Sequence, residues 1–189
     1  MSDYSIDQFI ADATAIVAEG LDNRQVLQKM VPLAKRVSQD TSWVQLDFYD
    51  CDEEQGFGIT MLHVADDESL SVQTVCWLPG RGVAPHDHQT WGIVVGLDGV
   101  EKNVNWLRQD DGSRPGYADI AAHHEVMVGA GDACSFLPDD IHSVENDGDK
   151  PTLSLHLYGA VLANNERSEF DPEAKVQRPC PKRVRKAAN

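Results

Sequence analysis

The stretch His86-Asp87-His88-Gln89-Thr90-Trp91-Gly92 decides how the rest of the chain is read. Two histidines separated by one residue point the same way only where the backbone is extended, because side chains alternate faces along a strand. Pro85, just upstream, cannot continue a helix and biases Ala84 toward extended geometry. Both imidazoles of such a pair can reach one point in space. A third histidine, His142, follows 54 residues after His88, at the head of another strand-like run and just after the turn Pro138-Asp139-Asp140. A barrel brings a strand placed like this beside the first. An HxH pair alone is a weak signal, and the same residues also fit polar positions at a barrel mouth with no ligand. The later histidine turns the reading toward a shared metal ion.

Working outward, short apolar segments rich in Val, Ile, Trp, Tyr and Phe alternate with turn residues from Thr41 onward. The pattern predicts strands at 42–49, 57–64, 71–78, 91–97, 100–107, 124–128, 133–137, 141–146 and 152–158. Breaks fall at Asp66-Asp67, Pro79-Gly80, Asp98-Gly99, Asp110-Asp111-Gly112, Gly129, Gly131 and Asp147-Gly148. Leu97-Asp98-Gly99-Val100 has the form of a hairpin turn. Many short strands at even spacing predict a mainly β protein, a double-sheet jelly roll or barrel. Before them, Ile6, Phe9, Ile10, Ala13, Ile16 and Val17 recur at helical spacing and Gly20 follows as a stop. Asp22 or Asn23 can cap a second helix with an apolar stripe of Val26, Leu27, Met30, Leu33, Ala34 and Val37. The expected organisation is N-terminal helices over 1–40 packed on a barrel over 41–162, then a C-terminal extension over 163–189.

The chain has 189 residues and a net charge of −15, a length suited to one domain and a charge that disfavours nucleic acid as a partner. Residues 175–189 hold six basic and no acidic residues, which leaves ten basic against 31 acidic in the remainder. This tail is expected to dock on the acidic body or to stay solvated. No apolar run reaches membrane-spanning length, and the first residues lack the basic and apolar regions of a signal peptide. The reading is a cytoplasmic protein without membrane or nucleic-acid partners, a monomer or homodimer. Cys51, Cys76, Cys134 and Cys180 are widely spaced and predict reduced thiols.

The segment Gly82-x3-His86-x-His88, followed by Gly99, resembles the first motif of the cupins. Gly131 to Pro138, then His142-x3-Asn146, resembles the second. The resemblance implies a double-stranded β-helix, the cupin jelly-roll barrel, with His86, His88 and His142 as metal ligands. Cupins typically carry a Glu about four residues after the HxH. Gln89, Thr90, Trp91 and Gly92 stand there in this chain, so three neutral imidazoles remain.

The run His86 to Gly92 is similar to the thiol dioxygenases, which comprise the cysteine dioxygenases and the bacterial 3-mercaptopropionate dioxygenases. Ser154-Leu155-His156-Leu157-Tyr158-Gly159 agrees with it and resembles the family's Ser-x-His-x-Tyr strand. Ser154, His156 and Tyr158 share one face of that strand, and Leu153, Leu155 and Leu157 the other. The resemblance covers roughly residues 70–160. It implies iron(II) as the cofactor, dioxygen and a small thiol acid as substrates, and a sulfinic acid as product. It assigns Tyr158, His156 and Ser154 to a catalytic relay in which each orients the next. The position of the cysteine that some family members link to this tyrosine corresponds to Gly92, so no crosslink is expected.

Arg167, nine residues after Tyr158, is similar to the carboxylate-binding arginine of the bacterial branch. Arg81 is a further candidate for the substrate carboxylate, with Lys102 and Arg108 behind it, and Trp91 for a pocket wall. The cysteine-type enzymes use an arginine on an early strand. Phe57-Gly58-Ile59-Thr60 carries none, which places 3-mercaptopropionate slightly ahead of cysteine. Two other functions fit a metal-bearing barrel less well: another metal-dependent cupin enzyme (a lyase, isomerase or carbon-cleaving oxygenase) and a non-catalytic cupin that binds a small ligand.

Overall fold

A computed structural model describes residues 4–183 and 185–187. Two helices lead, α1 (Ile6–Ala18) and α2 (Asn23–Val37). Each opens on a reciprocal cap. Ser5 Oγ accepts from the Gln8 amide while the Gln8 side chain accepts from the Ser5 amide, and Asp22 with Gln25 repeats the arrangement. Two otherwise orphaned N–H groups are thereby satisfied at each helix start.

Among the described residues the strands are β1 (Phe57–Val64), β2 (Ser71–Trp77), β3 (Arg81–His86), β4 (Gly92–Asp98), β5 (Glu101–Arg108), β6 (Ile120–Val128), β7 (Ala133–Phe136), β8 (Ile141–Asn146), β9 (Thr152–Tyr158), β10 (Ser168–Asp171), β11 (Val176–Pro179) and β12 (Lys186–Ala187). They form two six-stranded sheets, ordered β12-β1-β2-β9-β4-β7 and β11-β10-β3-β8-β5-β6. This is the double-sheet architecture that the strand pattern predicts.

Alternation along three strands of the first sheet sets the layers. Val72 and Cys76 of β2, Ile93, Val95 and Leu97 of β4, and Leu153, Leu155 and Leu157 of β9 pack with Phe9, Ala13, Met30 and Ala34 of the helices in one core. The opposite faces of these strands look toward the second sheet. There Phe57, Ile59, Val75 and Trp77 meet Val144 in a smaller apolar cluster between the sheets. The helices thus cover one face of the first sheet and leave its other face to build the barrel interior.

Several expectations are corrected. Residues 42–49 form no strand; Leu46–Tyr49 is a 3-10 turn, with Phe48 and Trp43 turned into the helix-side core. Arg81–His86 is a strand that the Pro79-Gly80 break concealed, paired with β8 through a bulge between Val83 and His86. The Asp98-Gly99 turn is present, with Gly99 at φ +72°, but it joins no hairpin. β4 belongs to the first sheet and β5 to the second, so the turn carries the chain across the barrel.

The C-terminal extension is built into the fold. β10 and β11 extend the second sheet, and β12 runs parallel to β1, with Lys186 opposite Thr60. Lys175 pairs with Asp119, while Arg178 and Arg183 both pair with the buried Glu169. Positions 184, 188 and 189 of the basic tail lie outside the described residues. Cys51 and Cys76, far apart in sequence, stand side by side with sulfurs 2.9 Å apart. No helix among the described residues is long and apolar enough to cross a membrane.

Candidate metal centre

β3 ends on His86, which lies directly opposite His142 of β8 in the sheet register. His88 follows just past the strand, where the backbone turns sharply and Gln89 adopts φ +54°. That turn is held from several sides. Asp87 accepts from the Ser168 amide at 2.8 Å and from Gln89 Nε2 at 3.0 Å. The Gln89 amide donates to Pro138 O at 3.1 Å, and Asn165 Nδ2 donates to His88 O at 3.0 Å.

The result is a cluster of three imidazoles whose ligand nitrogens all lie within 4.8 Å of one another. The rings are buried, with His88 and His142 at 1% exposure. Two are oriented from behind. His86 Nδ1 lies 2.9 Å from Ala84 O, and His142 Nδ1 lies 3.2 Å from Asn103 Oδ1. Donation from Nδ1 fixes the tautomer and leaves the Nε2 lone pair of each ring for the centre. His142 Nε2 and both nitrogens of His88 are buried without a hydrogen-bond partner. Orphaned buried nitrogens are costly, and His142 Nε2 and one nitrogen of His88 belong to the cluster of three, the signature of a site shaped for a cation.

Electrostatics agree. Burial pushes His86 down to about 4 and holds His88 and His142 well below the ordinary imidazole range. All three are therefore neutral near pH 7, the form in which imidazole coordinates a metal.

The strand Ser154-x-His156-x-Tyr158 lies beside this cluster. Ser154 Oγ is 2.8 Å from His156 Nε2, and His156 Nδ1 is 2.8 Å from Tyr158 Oη. Burial pushes His156 down to about 3 and raises the Tyr158 hydroxyl well above its ordinary value, so both are neutral. The Tyr158 and His88 rings lie 4.8 Å apart, which sets the relay against the metal cluster. Gly92 pairs directly with Tyr158 across β4 and β9, and a Cβ on Gly92 would lie 3.0 Å from the tyrosine ring. A thiol at this position would reach the ring; glycine offers none.

A cavity of about 60 Å³ opens over the cluster between the two sheets. His86, His88, His142, His156 and Tyr158 line it together with Arg167. Of the other substrate candidates, Arg81 lies at the surface with its guanidinium on Glu53 O and Glu54 O. Trp91 packs in the helix-side core instead of walling the cavity, since its neighbour Gly92 takes the inner position against Tyr158. Lys102 pairs with Glu145 and Asp147, and Arg108 with Asp110.

Sequence reasoning missed Asn103, Gln73 and the arginines of the tail. Asn103 and Glu101 occupy buried alternate positions on β5, a period-2 pattern in a run that reads as merely polar. Gln73 lies on β2 opposite His156 and lines the cavity, as do Arg183 and Arg185.

The fold and the buried histidine trio define a metal-binding cupin. The family model described as "Cysteine dioxygenase type I" matches residues 2–169, and the chain belongs to that family. Its members are dioxygenases, oxidoreductases that act on a small substrate with dioxygen. Solved structures match parts of the chain at low identity. One is an oxalate oxidase in complex with the substrate analogue glycolate, 19% identical with a TM-score of 0.47, where the match covers 59% of this chain and 54% of that one. Another is a conserved protein with a double-stranded β-helix domain from Klebsiella pneumoniae, 14% identical with a TM-score of 0.47, covering 70% of this chain and 99% of that one. The chain matches only about half the length of the oxalate oxidase.

Proposed function

We propose that this protein oxidises the sulfur of a small mercapto-carboxylate to the sulfinic acid, with iron(II) held by His86, His88 and His142. The observation that carries the reading is that the three imidazoles, the Tyr158 relay and Arg167 all line one small cavity. Iron, when bound, supplies the open-shell electronic structure through which dioxygen can react with a thiolate. In the balanced reaction a thiol and one dioxygen give one sulfinic acid, with both oxygen atoms ending on sulfur.

The chain's own groups bind and orient. Three neutral ligands leave the double positive charge of the ion uncompensated, which favours an anionic thiolate. Arg167 directs its Nε to Leu162 O at 3.2 Å, which anchors the guanidinium at the cavity for a carboxylate. Ser154 Oγ lies closer to His156 Nε2, at 2.8 Å, than to Val75 O, at 3.4 Å. With the serine hydrogen on the shorter contact, His156 Nδ1–H donates to Tyr158 Oη. The tyrosine hydrogen then points into the cavity, toward substrate oxygen.

The charges favour 3-mercaptopropionate over cysteine. An ammonium group needs an anionic partner, and the carboxylate lining the cavity, Glu169, is already taken by Arg178 and Arg183. The apolar Phe57 and Ile59 line the wall where the cysteine-type enzymes carry arginine.

Oxygen uptake by iron-loaded protein across a panel of thiols tests the reading. Uptake with 3-mercaptopropionate, loss of bound iron and of at least a thousandfold in rate in His142→Ala, and weaker turnover of cysteine are expected. Turnover of a thiol-free substrate with no uptake on any thiol assigns the site to a lyase or other metal-dependent cupin reaction instead.

A further inference from the structure

The C-terminal segment contributes more to the cavity than a cover. Arg183 and Arg185 line the same space as the histidine trio, Tyr158 and Arg167. β12 fixes their place: it pairs in parallel with β1 at Thr60 and Met61, one turn of the pleat beyond the cavity-lining Phe57 and Ile59. Arg185 immediately precedes that strand.

The two tail arginines differ in what they hold. Arg183 reaches Glu169 at 3.4 Å and lies over the Phe57 ring at 5.6 Å. Arg185 is half-buried, and its Nε is shielded from solvent without a hydrogen-bond partner. The carboxylate that lines the cavity with it, Glu169, is held by Arg178 and Arg183. Arg167 and the Tyr158 hydroxyl both lie within electrostatic range of Arg185. Two guanidinium groups repel in a partly dry site, and an anion shared by them relieves that repulsion.

We infer that Arg185 and Arg167 together clamp the carboxylate of the substrate, so that the C-terminal segment completes the site and sets its preference for thiol acids. This rests on the proposed oxidation of a mercapto-carboxylate. About 60 Å³ holds on the order of four to six waters, room for one short thiol acid. The two cations therefore share one anion, with Tyr158 Oη as a neutral donor beside them.

The test compares iron-loaded full-length wild type with Arg185→Gln, Arg185→Lys and the surface control Lys182→Gln. Binding of 3-mercaptopropionate and of 2-mercaptoethanol, which lacks the carboxylate, is measured by calorimetry without oxygen, and KM and kcat are measured with it. Arg185→Gln is expected to weaken 3-mercaptopropionate binding at least tenfold while 2-mercaptoethanol binding stays within twofold of wild type. Arg185→Lys should recover part of the loss, and Lys182→Gln should match wild type. Unchanged acid binding in Arg185→Gln, or equal losses for both thiols, overturns the inference. Because binding is read without turnover, a protein that binds the acid in this pattern yet oxidises no thiol contradicts the proposed reaction and leaves the clamp standing.

Discussion

Asn103 Oδ1 holds the Nδ1 side of His142 at 3.2 Å, so it acts on the metal through that ring. Asn103→Ala should let the imidazole rotate and change tautomer. Iron affinity is expected to fall by about 10–100-fold with the fold intact, read by chelator competition. Glu101, two residues earlier, is a different case. It is almost fully buried, accepts from Thr152 Oγ1 at 3.2 Å, and leaves its other oxygen without a partner. Burial pushes its carboxyl up to about 7. A carboxyl raised in the folded state binds a proton that the unfolded chain has released, so stability falls as pH climbs from the unfolded value, near 4.5, through 7. Glu101→Gln should remove that fall. Relative to wild type, the variant gains at most about 3 kcal/mol between pH 5 and pH 8, measurable by urea denaturation at both. Neither residue was legible beforehand. Glu101-Lys102-Asn103 reads as a solvated edge, and only the pairing of β5 with β8 and β6 reveals which of its faces is buried.

At the scale of elements, the turn that carries His88 depends on its neighbours. The residue at φ +54° is glutamine, not glycine, so surrounding contacts must hold the conformation. Most come from the C-terminal extension, through Asp87 to Ser168 and through His88 O to Asn165. Asp87→Ala should free the turn, cost on the order of 1–3 kcal/mol and weaken metal binding more than a surface Asp→Ala. Thermal melts with and without iron check this: the stabilisation conferred by the ion should shrink in the variant. Strands with clean alternation were readable from the sequence, and β1, β8 and β9 fall where the pattern places them. Arg81–His86 was hidden because the Pro79-Gly80 break precedes it and a bulge interrupts its pairing, although it ends on His86. The segment 42–49 misled for the opposite reason. Its aromatic alternation is strand-like, yet Leu46 is 90% exposed and Phe48 is taken into the core between the first sheet and the helices by a 3-10 turn.

Across the whole molecule, the barrel interior is built to keep four imidazoles dry. Burial drives His86 to about 4 and His156 to about 3, and holds His88 and His142 well down. A histidine held neutral by folding must charge as the chain unfolds, so stability is present above the unfolded value, near 6.5, and is lost as pH falls toward the folded values. Between pH 6.5 and 4.5 these four groups oppose Glu101 and outnumber it. Metal-free protein should therefore lose stability steadily on acidification across that window, as calorimetric melts would register. A flat profile there would mean that the rings are hydrated. The acidic composition is resolved at this scale too. Its basic counterpart is not a loose tail; the tail pairs with Asp119 and Glu169 and ends as a strand over the site. The histidine trio and the Ser154-His156-Tyr158 face were legible through short motifs and the family resemblance they carry, with period-2 alternation placing His86 with His88 and Ser154 with His156 and Tyr158. The tail arginines reach the cavity only through pairing of β12 with β1, a long-range contact that no local pattern encodes.

The most direct measurement is mass analysis of the product when iron-loaded protein turns over 3-mercaptopropionate under isotopically labelled dioxygen. The account predicts a sulfinic acid with label at both sulfur-bound oxygens, and none from the His142→Ala protein. Unoxidised thiol, a disulfide as the only product, or oxygen drawn from water would contradict it.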